Sequence, residues 1–337
     1  MRNAETSFLL LEEGRKTEAL DVSTHCGGGA VNAAVALARL GHDVSAMVRL
    51  GQDPRADIIL TRLEAERIST RWAVRDPVQK TGASLIIASH ERNAGIFAFR
   101  GANTGFRSDA LNPSAFETDL CLVSSLSNES AECFPDIVRL ANAAGAVVAA
   151  NPGIRQLSAR GGAFQRSLGD IDLLSVNRAE GDALTPALVD RFGEGGRAFQ
   201  EDSGSLHARL ARGFEGGGYY MSTRHFFRSL LDCGPRWIVL TDGTHGAFLA
   251  TGDTLYHCPV APVEVVGTAG AGDAFYATVA SELANGVEPE AAMRSAAVNA
   301  AAVVRHVDTQ TGLLDHAALT ARLKEVEADL TVRTFEL

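Results

Sequence analysis

Residues 265–275 read Val-Val-Gly-Thr-Ala-Gly-Ala-Gly-Asp-Ala-Phe: an apolar approach, a turn of small residues, then an acid heading an Ala-rich run. Small residues let a ligand come close to the backbone, and the N–H groups of Gly270, Ala271 and Gly272 can converge on one anion. A helix expected over Asp273–Leu283 adds the positive end of its dipole to that field. Such an anion hole suits the charge that develops on a phosphoryl group in transfer. Asp273, at the helix start, can reach the same spot and accept the proton of a hydroxyl as its oxygen attacks phosphorus. The competing reading is structural: Asp273 caps the helix and the glycines only make a turn.

The elements that must hold this turn alternate. Residues 30–40 form an Ala-rich helix ended by Gly41, strand-like Val44–Leu50 follows, and Arg55–Arg67 reads as a second helix. Ala83–Ala88 and Gly95–Phe99 flank a turn-rich segment and read as a hairpin. Apolar runs at Leu120–Val123, Ala146–Ala149, Leu173–Val176 and Trp237–Leu240 are separated by helical stretches, the pattern of a largely parallel sheet covered on both faces. The hairpin predicts a small β lid beside that sheet. Residues 191–220 are Gly- and Arg-rich with weak periodicity, and read as an insertion, partly helical around Leu206–Leu210 and mobile.

Composition narrows the partners. The 337 residues carry 31 basic and 41 acidic side chains, a net charge of −10, with no basic block. Nucleic-acid binding rests on clustered positive charge and is disfavoured. Five dispersed cysteines without CxxC spacing suggest reduced thiols in a cytoplasm rather than disulfides or zinc. No apolar run approaches the length of a membrane span, and the N-terminus lacks signal-peptide architecture. The nine histidines show no ligand spacing. Gly27-Gly28-Gly29 before a helix raises a dinucleotide-binding oxidoreductase, but the preceding LDVSTHC is too polar for a strand and Asn32 replaces the third fingerprint glycine. A Walker-type NTPase is excluded because no GxxxxGK[ST] string occurs.

The GAGDAF string resembles the C-terminal signature of the ribokinase/PfkB carbohydrate kinase family, whose usual form is DTxGAGDxF. Further motifs of that family follow in order: Gly27-Gly28-Gly29-Ala30-Val31-Asn32, Gly101-Ala102-Asn103, Asn177-Arg178-Ala179-Glu180, Thr241-Asp242-Gly243 with Gly246, and Asn299. The resemblance covers roughly residues 23 to 315. It implies one ribokinase-like domain over 1–337: a doubly wound, mostly parallel sheet with helices on both faces and a β lid from residues near 7–12 and 82–100. It also implies ATP-dependent transfer of the γ-phosphate to a hydroxyl of a sugar or nucleoside-like molecule, with ligands at the carboxyl ends of the strands. Asp273 would be the catalytic base, and Gly270, Ala271 and Gly272 the anion hole. Asn177 and Glu180 would position phosphate and Mg²⁺-bound water. Thr241, Gly243, Gly246 and Asn299 would line the nucleotide site, and Gly28, Gly29 and Asn32 would contact the acceptor. Helix capping by Asn177 and interior burial of Asn299 are the structural alternatives. A homodimer formed through the lids follows by the same analogy.

The chain also departs from the pattern. Gly267 stands where the family has an Asp that helps hold a monovalent cation, which implies indifference to K⁺. The family's opening strand and its G-x-x-x-x-D segment have no match before Cys26; the chain enters at a lid-like strand, Ser7–Glu12, so either this member lacks that strand and its substrate carboxylate, or, the favoured expectation, the translation start is placed too far downstream or the chain is incomplete. LVSSLS at 122–127 lacks the Glu frequent in ribokinases, and Gly29 replaces a frequent Lys, so ribose is not implied. These departures motivate the rival expectation of a non-catalytic sugar- or nucleotide-binding sensor.

Overall fold

The computed structural model describes residues 14, 16, 18–88, 94–196, 199, 205–326 and 330–337. Near the N-terminus, helix α1 (Gly29–Arg39) is followed by strand β1 (Arg49–Leu50), helix α2 (Pro54–Ala65) and strand β2 (Val74–Arg75). The Ala-rich run makes α1, and Gly41 at φ +98 turns the chain out of it. Helix α2 is opened by the Asp53 carboxylate, which accepts from Ala56 N–H, with Pro54 in its first turn. The strand expected over Val44–Leu50 is regular only at Arg49–Leu50, although its backbone pairs onward with the segment 69–76. Strands β3 (Ala83–Ala88) and β4 (Ala94–Phe99) pair antiparallel as a free-standing hairpin. The partner strand expected at Ser7–Glu12 lies outside the described residues.

The central sheet has seven strands: β5 (Leu120–Val123), β6 (Val147–Ala150), β7 (Leu173–Asn177), β10 (Trp237–Thr241), β11 (Ala247–Thr251), β12 (Thr254–Cys258) and β13 (Arg333–Glu336). In space they run β13-β12-β11-β10-β7-β6-β5, with β5, β6, β7 and β10 parallel and the remainder antiparallel. A second small hairpin, β8 (Phe214–Gly216) with β9 (Tyr219–Met221), stands apart from it.

Period-two alternation along the parallel strands sorts their side chains. Val148, Ala150, Leu174, Val176, Ile238 and Leu240 share one core with α3 (Phe134–Ala143), α4 (Ile154–Arg166), α5 (Arg178–Phe192) and α7 (Thr223–Leu231). Ala149, Leu173 and Val239 face the other way, into a core with α8 (Ala271–Ala284), α9 (Pro289–Val303) and α10 (His316–Val326). The remaining helix, α6 (Ser205–Arg212), precedes β8. Val279 and Leu283 of α8 are buried here, each adding about 2 kcal/mol of hydrophobic stabilisation. Helix α1 packs on the far side of α8, where Val31 and Val35 meet Ala274 and Ala277. That contact brings the Gly27–Asn32 turn to the head of α8.

Candidate active site

Helix α8 begins two residues earlier than its sequence suggests. Gly270, at φ +83, is its N-cap, so Asp273 sits inside the first turn rather than at the cap. The carboxylate makes no capping bond. Instead it accepts from Asn32 Nδ2 at 2.7 Å, across 241 residues of chain. The capping alternative is therefore set aside by the geometry. Among the described residues no acceptor takes the N–H groups of Ala271, Gly272 or Asp273, and a Cβ built on Gly272 would meet nothing within 4 Å. Three amides of the first turn thus have no acceptor among the described residues, close to a carboxylate, and the helix dipole favours negative charge there.

Asn32 is itself fixed. It is 3 % exposed, and its Oδ1 accepts from Thr309 Oγ1 at 2.8 Å and from Gln310 Nε2 at 3.0 Å. With both acceptor positions filled, the amide nitrogen must turn toward Asp273. Gln310 Oε1 in turn accepts from Arg62 Nε at 2.9 Å, and Arg62 and Arg39 both pair with Glu66. The turn that presents Thr309 and Gln310 is tied by Asp308, whose Oδ1 accepts from Gln310 N at 2.8 Å and Thr311 N at 2.7 Å. Burial pushes the Asp273 carboxyl above its ordinary range, and the Asn32 bond offsets only part of that. An elevated pKa makes a stronger base.

Gly29 completes this corner. A Cβ there would lie 3.3 Å from Asp273 Oδ1 and 3.3 Å from Ser124 Cβ, so Ser124 at the end of β5 borders the same point. Gly28, at φ +104 with nothing within 4 Å of a built Cβ, leaves its backbone open. Ser124, Thr309 and Gln310 were not singled out from sequence. Ser124 had a usable signal, a polar residue just past a buried strand, whereas Thr309 and Gln310 belong to a turn with no motif of its own.

A second group of expected residues gathers at the carboxyl ends of β7 and β10, where Asn177 and Thr241 are cross-strand partners. Asn177 Oδ1 accepts from Glu180 N at 3.0 Å and Glu180 Oε2 accepts from Asn177 N at 2.9 Å, a capping box at the head of α5. Burial raises the Glu180 carboxyl, against the two Asn177 bonds. Gly243, at φ +55, faces open space; Gly246, at φ +87, is forced, because a Cβ would lie 2.2 Å from the Cys258 carbonyl oxygen. Asn299, expected at the nucleotide site, lies on α9. It is fully buried, donating to Thr278 Oγ1 at 2.9 Å and accepting from Leu314 N at 3.0 Å, the interior role open to it from sequence. Among the described residues no cluster of three or more His, Cys, Asp or Glu side chains is placed to hold a metal. The open amides of α8 and the lone Glu180 carboxylate fit a Mg²⁺ held mainly by waters and nucleotide phosphates, not by a protein cage.

The model of the pfkB family carbohydrate kinases matches residues 3–201 and 223–316. This chain belongs to the pfkB family. Deoxyribokinase of Salmonella typhimurium is 28 % identical to this pfkB-family chain over 303 residues, covering 89 % of the chain and 88 % of the relative. Thermotoga maritima ribokinase superposes with a TM-score of 0.72 at 22 % identity, over 93 % of this chain and 92 % of that one. Arabidopsis thaliana ribokinase, solved with ribose and ATP, gives 0.70 at 20 % identity, over 94 % and 93 %. The ribokinase-like fold is thus present, and with it the activity class of the pfkB family: a kinase that phosphorylates an alcohol group.

Proposed function

We propose that this pfkB-family kinase moves the γ-phosphate of ATP to a hydroxyl of a sugar or nucleoside-like small molecule, with Asp273 as the base. The observation that carries the reading is the state of Asp273: engaged among the described residues by Asn32 alone, uncapped, and beside three helix amides without an acceptor there. The acceptor hydroxyl lies between Gly29, Ser124 and Asp273; its oxygen attacks phosphorus as its proton passes to the carboxylate. The amides of Gly270, Ala271 and Gly272, with that of Asp273 beside them, hold the migrating phosphoryl group, and their fixed dipoles need no reorganisation as charge builds. MgATP, when bound, supplies the phosphoryl group and a cation that neutralises its oxygens. Asn177 and Glu180 orient that cation's waters, and the Thr241–Gly246 turn borders the nucleotide.

Gly267 supports indifference to K⁺. A Cβ there would lie 2.9 Å from the His306 carbonyl oxygen, and Gly267 N is tied to Val304 O at 3.1 Å, so no acidic side chain reaches a cation from this position. The exposed apolar pairs of the β3–β4 hairpin, Leu85 with Phe97 and Ile86 with Ile96, support pairing of two lids in a homodimer. No helix among the described residues is long and apolar enough to cross a membrane, which agrees with a cytoplasmic kinase.

The test is ADP release from MgATP with a panel of sugars and nucleosides, in sodium and in potassium buffers. Turnover on at least one acceptor, equal in both salts, is expected. ATP binding without turnover on any acceptor is the behaviour of a sensor and would overturn the catalytic reading; a large rise in potassium would overturn the cation reading alone.

A further inference from the structure

The family model passes over residues 202–222. In this chain that stretch contains α6, β8 and β9, and it grips the family's own motifs at two points. Arg178, second residue of the N-x-x-E motif, donates from Nη2 to the Gly213 carbonyl, and its guanidinium lies 4.2 Å from the Phe214 ring centre. Arg209 of α6 pairs with Asp242 of the Thr241-Asp242-Gly243 motif at 3.1 Å, and the Asp242 side chain is only 6 % exposed.

The docking is a packed contact rather than a loose one. Phe214 is fully buried and stacks on Phe226 with ring centres 3.7 Å apart. Gly181 of α5 makes room for it: a Cβ there would come within 2.8 Å of Phe214 Cε1. Leu210 and Met221 are buried as well, and Glu215 N donates to Asp182 Oδ1 at 3.1 Å. The turn is closed by its own Asp242 N to Gly246 O bond at 2.9 Å, and a buried aspartate left without its arginine carries a desolvation cost, so docking of α6 adds to the stability of this shape.

We propose that residues 205–222 are part of an insertion and brace the nucleotide edge of the site, with Arg209 as a positioning residue that sets affinity for the phosphoryl donor through Asp242. This rests on the nucleotide lying at Thr241–Gly246. The brace acts on the turn from beneath: Arg209 holds Asp242, Asp242 fixes the backbone between Thr241 and Gly243, and the Arg178 contact holds the head of α5 in register with it.

The experiment measures the Kd of MgADP by calorimetry on the full chain, with the thermal midpoint of each variant in parallel. Arg209→Gln weakens MgADP about tenfold, within the range carried by packed contacts, and Arg209→Lys restores most of it. Asp242→Asn, which removes the buried carboxylate and leaves the less buried Arg209 without its anionic partner, reads the same contact should Arg209→Gln fail to fold, and it too weakens binding. Variants that lower the midpoint yet bind MgADP like wild type reduce the contact to a structural one and overturn the proposal. Gly243→Val, in the turn itself, separates the layers. If it weakens MgADP and the Arg209 and Asp242 variants do not, only the brace fails. If it too leaves binding intact, or wild type binds no MgADP, the nucleotide placement fails and the brace with it.

Discussion

Asp273 shows how a charge acquires a task from its surroundings. Folding takes the carboxyl from water into a corner where, among the described residues, one amide hydrogen bond is its only partner, and burial raises its pKa. The folded state then holds that proton more tightly than the unfolded chain, so Asp273 is least costly below its unfolded pKa, and the penalty grows as pH rises through and above it. Asp273→Asn is expected to raise the thermal midpoint by a few degrees at neutral pH, with the gain shrinking toward acid pH; scans across pH check the sign. Gln310→Met removes both a donor to Asn32 Oδ1 and the acceptor of Arg62, freeing the Asn32 amide to turn away. It is expected to lower kcat by about tenfold to a hundredfold while MgADP affinity stays put. Asp273 was legible because its glycines and alanines are contiguous with it. Gln310 was not, because its partner Asn32 is 278 residues away and glutamine in a turn has no spacing to read.

At the scale of elements, the start of α8 matters most. Gly270 needs a positive φ and lies so close to the 309 turn that a Cβ would meet Thr309 Cβ at 2.7 Å. Gly270→Ala combines strain with a clash; it is expected to destabilise the fold by about 1–3 kcal/mol and to depress turnover more than a remote change of equal cost, measurable by denaturant titration beside the kinetic assay. Strand and helix types along β5, β6, β7 and β10 were readable because buried parallel strands are short apolar runs between amphipathic helices. Boundaries were less so. A left-handed glycine starts α8 before the acid that sequence places at its head, and pairing of the Val44–Leu50 stretch is broken into a bridge and a two-residue ladder. The α6–β9 segment reads poorly for a physical reason: it is held by tertiary contacts to Gly181, Phe226 and Asp242 and has little periodicity of its own.

Across the whole molecule, two helical layers clamp one sheet, and Asn177 and Thr241 stand together at the carboxyl ends of neighbouring parallel strands. On the proposed reading the acceptor region is drawn from residues 27–32 and 124 and the donor region from 177–180 and 241–246, stretches far apart in sequence. Ligands of such sheets bind outside the carboxyl ends of the strands, which supports that reading. The β3–β4 hairpin leaves large side chains uncovered, Leu85 at 62 % and Phe97 at 55 % exposure. Charging both, as Leu85→Asp with Phe97→Asp, is expected to convert the proposed lid-paired dimer to a monomer in sedimentation without shifting the thermal midpoint of the body.

The most direct test compares turnover with nucleotide binding in Asp273→Asn, using MgATP and the best acceptor found among sugars and nucleosides. A kcat reduced by about a hundredfold or more with MgADP affinity intact is expected, because the amides of α8 survive while the base does not. Turnover close to wild type would contradict it, since proton removal would then belong to another group.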